Sequence, residues 1–241
     1  MTKATETKLF LVTGASSGIG RAVSYALLKA GHEVIGVSRN ISTQTIDHPR
    51  FSGFDMDLSN ISQIEHDAKK LKALGQQKGG FLGTVFCAGA GKFGFLEQLS
   101  TQQIRDQIDL NLTSQIVLTK QLINQFKQQN SAILIYMGSE AALRGGRQGT
   151  IYCASKFGLR GFVQALNEEC GTSGVRATII NPGMVNTPFF DGLHFQPGEN
   201  EMNSIDPNTI GGLVAHLVDA PIETVVDEVT LSPRKKVILK K

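Results

Sequence analysis

Apolar residues fall along this chain in two alternating rhythms. Short, nearly continuous apolar runs occur at Lys8–Thr13, Glu33–Ser38, Leu82–Cys87, Ala132–Met137 and Arg176–Asn181, with a weaker one at Phe51–Asp55. Rich in Val, Ile, Leu and Phe and bounded by turn residues, they predict strands buried on both faces. Between them, Ile19–Ala30, Ile61–Leu74, Thr101–Gln128 and Tyr152–Cys170 carry apolar positions at helical spacing. Strand–helix alternation predicts right-handed crossovers. The expected fold is α/β: a single-domain Rossmann-type doubly wound parallel sheet with helices on both faces. Such sheets bind ligands beyond the carboxyl ends of their strands.

Composition adds little and excludes several classes. The 241 residues are 41% hydrophobic and 19% charged, ordinary for a globular domain. No apolar stretch is long enough for a membrane span, and the polar opening Met1–Lys8 has no signal-like core. Cys87, Cys153 and Cys170 are scattered and odd in number, and the five histidines lack ligand spacing. Together these features predict a cytoplasmic protein without a disulfide framework or a metal site. The net charge of +3 is concentrated in Arg234, Lys235, Lys236, Lys240 and Lys241; the rest is net acidic. We expect a solvated basic tail over 234–241, and neither nucleic acid nor membrane as a partner.

The first predicted strand runs into Thr13-Gly14-Ala15-Ser16-Ser17-Gly18-Ile19-Gly20, which opens the first helix. Glycines there permit a tight turn and close backbone approach, and a helix N-terminus offers free N–H groups to a pyrophosphate. At the end of the second strand stand Ser38 and Arg39. An acidic residue there would select a ribose 2′-hydroxyl; a neutral serine and a guanidinium suit a 2′-phosphate, so the expected cofactor is NADP(H). Farther on, Tyr152 and Lys156 are four apart at the start of a helix and share one face. An ammonium beside a phenol favours phenolate, predicting a lowered Tyr152 pKa.

With these motifs in order, the chain resembles the short-chain dehydrogenase/reductase family over nearly its whole length. The family's glycine motif falls on Thr13–Gly20, its Tyr-x-x-x-Lys on Tyr152 and Lys156, and its serine on Ser139. Its asparagine falls on Asn111, within the long predicted helix, and its Pro-Gly-x-x-x-Thr on Pro182, Gly183 and Thr187. The resemblance implies interconversion of a carbonyl and an alcohol by hydride transfer. In that reaction Ser139 orients the substrate oxygen and Tyr152 exchanges its proton. Lys156 binds the nicotinamide ribose and lowers the tyrosine pKa, and Asn111 holds a water leading to solvent. It also implies cofactor contacts from Gly14, Ser16, Ser17, Gly18, Ile19 and Gly20, from Ser38 and Arg39, and from Asp57 and Leu58 at the adenine. Further contacts are implied from Cys87, Ala88 and Gly89, from Tyr152 and Lys156, and from Pro182, Gly183, Val185 and Thr187 at the carboxamide.

Two departures stand out. The family's Asn-Asn-Ala-Gly is Phe86-Cys87-Ala88-Gly89 here, where Cys87 is read as a packing residue, and Met137-Gly138 precede Ser139. The resemblance further implies a variable substrate lid at 188–206, a small ketone, aldehyde or 3-hydroxy acid as substrate, and a homodimer or homotetramer. Arg144 and Arg147, between Ser139 and Tyr152, are candidate clamps for a carboxylate. The ending Val226–Pro233 differs from the glycine-rich close of many 3-oxoacyl-carrier-protein reductases, which leaves a 3-oxoacyl-thioester reductase as the second reading. A third, of another class, is a dinucleotide-binding sensor or scaffold without catalysis.

Overall fold

The computed structural model describes residues 7–43 and 46–241; most of the polar opening falls outside them. The chain runs β1 (Leu9–Thr13), α1 (Gly18–Lys29), β2 (Glu33–Ser38), β3 (Phe51–Asp55), α2 (Ile61–Gln77) and β4 (Phe81–Phe86). It continues with α3 (Thr101–Ile108), α4 (Ser114–Gln129), β5 (Ala132–Met137), α5 (Thr150–Cys170) and β6 (Val175–Pro182). The remainder is β7 (Phe195–Pro197), α6 (Pro207–Val218), β8 (Glu228–Leu231) and β9 (Ile238–Lys240). Seven strands form one sheet in the order β3-β2-β1-β4-β5-β6-β8, every neighbouring pair parallel.

Strand alternation divides the core in two. Leu9 and Leu11 of β1 face a cluster with Leu71 of α2, Leu118 and Leu122 of α4 and Leu159 of α5. Phe10 and Val12 face the opposite cluster, with Val23 and Leu27 of α1 and Ile210 and Val214 of α6. All five residues of β1 are buried, which explains its continuous apolar run. Burying a Leu or Phe side chain contributes about 1.5–3 kcal/mol, so the two layers hold the sheet rigid from both sides. Strand order reverses between β1 and β4, and the crevice beyond their carboxyl ends is where such sheets place ligands. The Thr13 hydroxyl ties the two ends together, accepting from the Cys87 and Ala88 backbone N–H groups at 3.1 and 3.2 Å.

Three expectations change. The long helix predicted over Thr101–Gln128 is α3, a π turn at Asp109–Thr113, and α4. α6 and β8 have no counterpart among the predicted elements; Asp206 caps α6 by accepting from the Asn208 N–H at 2.8 Å, with Pro207 opening the first turn. The basic tail is exposed over 234–241, as its charge predicts, but it is not a free end. β9 pairs antiparallel with β7, Phe195 opposite Lys240 and Pro197 opposite Ile238. The Lys241 ammonium donates to the Phe190 carbonyl at 2.7 Å, and Lys236 forms an ion pair with Glu140.

Candidate active site

Glycine geometry shapes the mouth of the crevice. Gly14 and Gly18 have φ of +67° and +50°, a region that side chains rarely occupy. A Cβ on Gly14 would stand 3.0 Å from the Ala88 backbone, and one on Gly20 would stand 2.2 Å from the Gly14 carbonyl. On Gly18 it would meet Thr187 at 3.3 Å, which brings the start of α1 against the segment after β6. Ser17 is the N-cap of α1 but makes no side-chain cap bond. Its hydroxyl and the first-turn N–H groups form an open cradle of donors at the positive end of a helix dipole. This cradle fits a dinucleotide pyrophosphate.

At the next strand end, the Ser38 hydroxyl is buried without a hydrogen-bond partner and Arg39 is exposed. A buried orphan hydroxyl costs roughly 1–3 kcal/mol unless a ligand satisfies it. Asp55, opposite Ser38 in the β2–β3 register, has its carboxylate engaged by the Ser42 N–H at 3.0 Å and the Ser42 hydroxyl at 2.5 Å. Asp57 accepts from Ser59, and Leu58 is buried beside them.

The reactive residues meet at the carboxyl ends of β4, β5 and β6. Ser139 follows β5 in extended backbone; its hydroxyl accepts from the Ala141 N–H at 3.1 Å and stands near enough to the phenol of Tyr152, half-buried in the first turn of α5, to favour its charged form. One turn on, the buried Lys156 donates to the Met137 carbonyl at 2.8 Å, and its ammonium lies 5.9 Å from the Tyr152 ring centre. Asn111 sits in the π turn, a widened coil often found where a helix serves a site. Its amide is closed on Ala90, donating to the carbonyl and accepting from the N–H, both at 2.9 Å, with Ser155 at 3.3 Å. A Cβ on Gly89 would meet both Asn111 (3.2 Å) and the Lys156 ammonium (3.8 Å), so these three flank one spot.

Burial pushes the Tyr152 phenol up to about 12, with the Ser139 hydrogen bond working against it. The lowering expected from Lys156 does not appear: burial outweighs it, with the Lys156 ammonium 5.9 Å from the Tyr152 ring centre. Lys156 itself is lowered to about 8 by burial, and Cys87 opposes that shift. Burial also raises the Cys87 thiol to about 12, in keeping with a packing role.

Beyond the motifs, the structure adds residues that sequence reasoning missed. The Asn181 side chain accepts from the Ser139 N–H at 3.2 Å and donates to Glu228, which Arg160 grips through two nitrogens at 2.9–3.0 Å. Phe93, from the loop after β4, lies 5.1 Å from Tyr152 between ring centres, and Phe189 lies at 6.0 Å. Arg144 and Arg147 are exposed, and Arg147 rests over the Phe95 ring at 5.2 Å. The Arg144 carbonyl lies 4.0 Å from the Cys153 sulfur, next to Tyr152 in α5. Among the described residues no cluster of His, Cys, Asp and Glu could hold a metal.

The short chain dehydrogenase family model matches residues 8–196, and the chain belongs to this family. It is therefore an oxidoreductase whose family works with a nicotinamide dinucleotide on small molecules. It is 28% identical over 238 residues to a sepiapterin reductase of Chlorobaculum tepidum, covering 93% of this chain and 96% of that one. A 3-oxoacyl-[acyl-carrier-protein] reductase of Vibrio cholerae is 29% identical over 220 residues, covering 88% and 90%. An alcohol dehydrogenase from the archaeon Thermococcus sibiricus, solved with 5-hydroxy-NADP, superimposes with a TM-score of 0.86 at 25% identity, covering 96% of this chain and 99% of that one. Among the described residues, no helix is long and apolar enough to cross a membrane.

Proposed function

We propose that this chain is an NADP(H)-dependent oxidoreductase that interconverts a carbonyl and an alcohol, with Tyr152 as the general acid and base. One observation carries the reading: the neighbouring hydroxyls of Ser139 and Tyr152 stand beside buried Lys156 at the strand ends that face the glycine cradle. The cradle of Gly14, Ser16, Ser17, Gly18, Ile19 and Gly20 holds the pyrophosphate. Asp57 and Leu58 border the adenine; Cys87, Ala88 and Gly89 pack beside the cofactor; Pro182, Gly183, Val185 and Thr187 hold the carboxamide end. Ser38 and Arg39 recognise a 2′-phosphate, which favours NADP(H) over NAD(H). The solved relative bound to 5-hydroxy-NADP supports that preference.

When bound, the reduced cofactor supplies the hydride to the carbonyl carbon. The protein handles the oxygen. Ser139 donates a hydrogen bond that fixes it, and Tyr152 gives up its phenolic proton as the alkoxide forms. A phenol raised to about 12 is protonated at neutral pH, so it is ready as an acid. Working as a base at pH 7 requires about 7 kcal/mol of differential stabilisation, at 1.36 per unit over about five units. The positive charge of an oxidised nicotinamide opposes that cost. Lys156 binds the ribose and returns a proton to Tyr152. Asn111 fixes the loop at Ala90 beside Lys156, where the proton is drawn from solvent through a water. Residues 188–206 form the substrate lid, and β9 ties it down.

Reduction of a 3-oxoacyl thioester is the second reading, favoured by the likeness to the Vibrio protein. The test is a panel of ketones, aldehydes, 3-oxo acids and 3-oxoacyl thioesters, followed by NADPH oxidation with NADH alongside. Tyr152→Phe should abolish turnover while cofactor binding survives; an active variant removes the proposal. Cofactor binding without turnover on any member of the panel would instead indicate a sensor.

A further inference from the structure

Four phenylalanines gather over the reactive tyrosine. Phe93 leans on the Tyr152 ring with 42° between planes, and Phe189 approaches it at 58°. Phe195 stands edge-on to Phe93, at 5.0 Å and 85°. Phe190 closes the group behind, 5.2 Å from Phe189 and 5.9 Å from Phe195. Only Phe190 is buried; Phe93, Phe189 and Phe195 are half-buried, and none of these three belongs to either core cluster. Three large apolar rings left partly in water cost stability unless something covers them. They come from two separate segments, the loop after β4 and the lid, and converge beside Tyr152.

We infer that this cluster is the substrate's own binding wall, and that the substrate is a flat, uncharged aryl or heteroaryl ketone or aldehyde, or the matching alcohol. The inference rests on the carbonyl–alcohol reading of the site. Phe93 and Phe195, set at right angles, make a corner. A planar ring satisfies both walls at once, stacked on one and edge-on to the other; a saturated, puckered ring satisfies neither well. The distances also fix where the ring must begin. The carbonyl oxygen has to reach the Ser139–Tyr152 pair, and Phe93, one wall of the corner, lies only 5.1 Å from the Tyr152 ring centre, with Phe189 at 6.0 Å. The flat part therefore starts within a bond or two of the carbonyl. Two cations near the rings are engaged by the protein itself: Arg147 lies over Phe95 and Lys241 donates to the Phe190 backbone.

Acetophenone and cyclohexyl methyl ketone share a skeleton and differ in the planarity of one ring. Initial rates with NADPH should give acetophenone a KM lower by roughly tenfold, as two aromatic contacts would supply. Because the two ketones differ in intrinsic reactivity, the decisive number is the preference of wild type relative to Phe93→Leu and Phe195→Leu, with folding checked by circular dichroism. The preference should shrink toward one in both variants. Saturation-transfer NMR on wild type, with either ketone, reads the same preference without turnover and stands if a variant fails to fold. Equal binding of the two ketones, a preference unchanged in both folded variants, or better use of a 3-oxo acid overturns the inference while leaving the oxidoreductase intact. Absence of turnover with both ketones and with every ketone, aldehyde, 3-oxo acid and 3-oxoacyl thioester of the panel strikes the proposed function instead, and the NMR comparison still judges the wall.

Discussion

The side-chain carbonyl of Asn181 accepts the backbone N–H of Ser139 at 3.2 Å, so the serine proposed to orient the substrate oxygen is held from behind by the strand next to its own. Asn181 in turn donates to Glu228 on β8, and Glu228 is held by Arg160 on α5, the helix that carries Tyr152 and Lys156. Both halves of the reactive pair thus hang on one polar chain. Asn181→Ala leaves the Ser139 N–H without this acceptor. We expect kcat to fall about 10- to 100-fold, the equivalent of about 1–3 kcal/mol, while the KM for NADPH stays put. Gly138→Ala reaches the same end by another route, since its Cβ would stand 2.0 Å from the Asn181 oxygen. Steady-state kinetics on both variants decide it; a loss confined to thermal stability would show that the chain is structural only.

The proposed preference for NADP(H) rests on Arg39 and Ser38. Arg39→Ala removes the only charge offered to a 2′-phosphate by this pair, and a charge-assisted hydrogen bond is worth about 1.5–3 kcal/mol. The KM for NADPH should rise on the order of 10- to 100-fold, with little change for NADH. Ser38→Asp should go further and invert the preference, because the carboxylate repels the phosphate and accepts from a free 2′-hydroxyl. Kinetics with both cofactors measure it, and equal KM changes for the two would remove the role given to Arg39.

The pH profile follows from the two buried groups. Reduction needs a protonated Tyr152, which its raised pKa secures well past neutrality, and a protonated Lys156 to replenish it. With Lys156 lowered to about 8, reductive kcat/KM should be level below that pH and fall above it. Lys156→Met should remove the bend and leave a low, flat profile. Stability carries the opposite sign. Because the folded pKa lies below the unfolded one, the unfolded chain binds more protons between them, so Lys156 weakens the fold below about pH 8 and this penalty is relieved as pH rises toward the unfolded value. In Lys156→Met the melting temperature should therefore gain most over wild type on the acid side of 8.

How much of this was written in the sequence depended on range. The glycine cradle and the Tyr152–Lys156 pair are local: backbone torsion and helical spacing place them within one turn, so motifs reveal them. Ser139 and Thr187 needed only a parallel sheet to bring their strand ends together. The break at Asp109–Thr113 left a fainter mark, the polar residues Asn111, Ser114 and Gln115 on what became the buried face of a helix. The Gln115 amide bonds the Asn111 carbonyl at 2.9 Å and Ser114 that of Leu110 at 2.7 Å, using the groups that the π turn rearranges. Phe93 gave no signal, since its neighbours Tyr152 and Phe195 are 59 and 102 positions away. The tail was half legible. Its charge argued for solvent, where 234–241 lies exposed, but a short strand's backbone pairing leaves no trace in composition.

That tail supplies the last prediction. β9 gives the lid strand β7 its only sheet partner among the described residues. The Lys241 N–H donates to the His194 carbonyl at 2.9 Å, the Gly198 N–H to Val237 at 3.0 Å, and the Asn203 amide to Lys235 at 3.0 Å. Lys236 pairs with Glu140, the residue after Ser139. Ending the chain at Pro233 removes all of these bonds but no buried apolar side chain, so the melting temperature should move little. The lid should loosen instead. We expect amide exchange over 193–203 to quicken, proteases to cut there first, and the KM of the carbonyl substrate to rise more than that of NADPH. Restoring the strand with Lys236 and Lys241 replaced by Gln separates the backbone pairing from the two ammonium contacts. Should the shortened chain show unaltered exchange in the lid, the strand pairing is not what holds it.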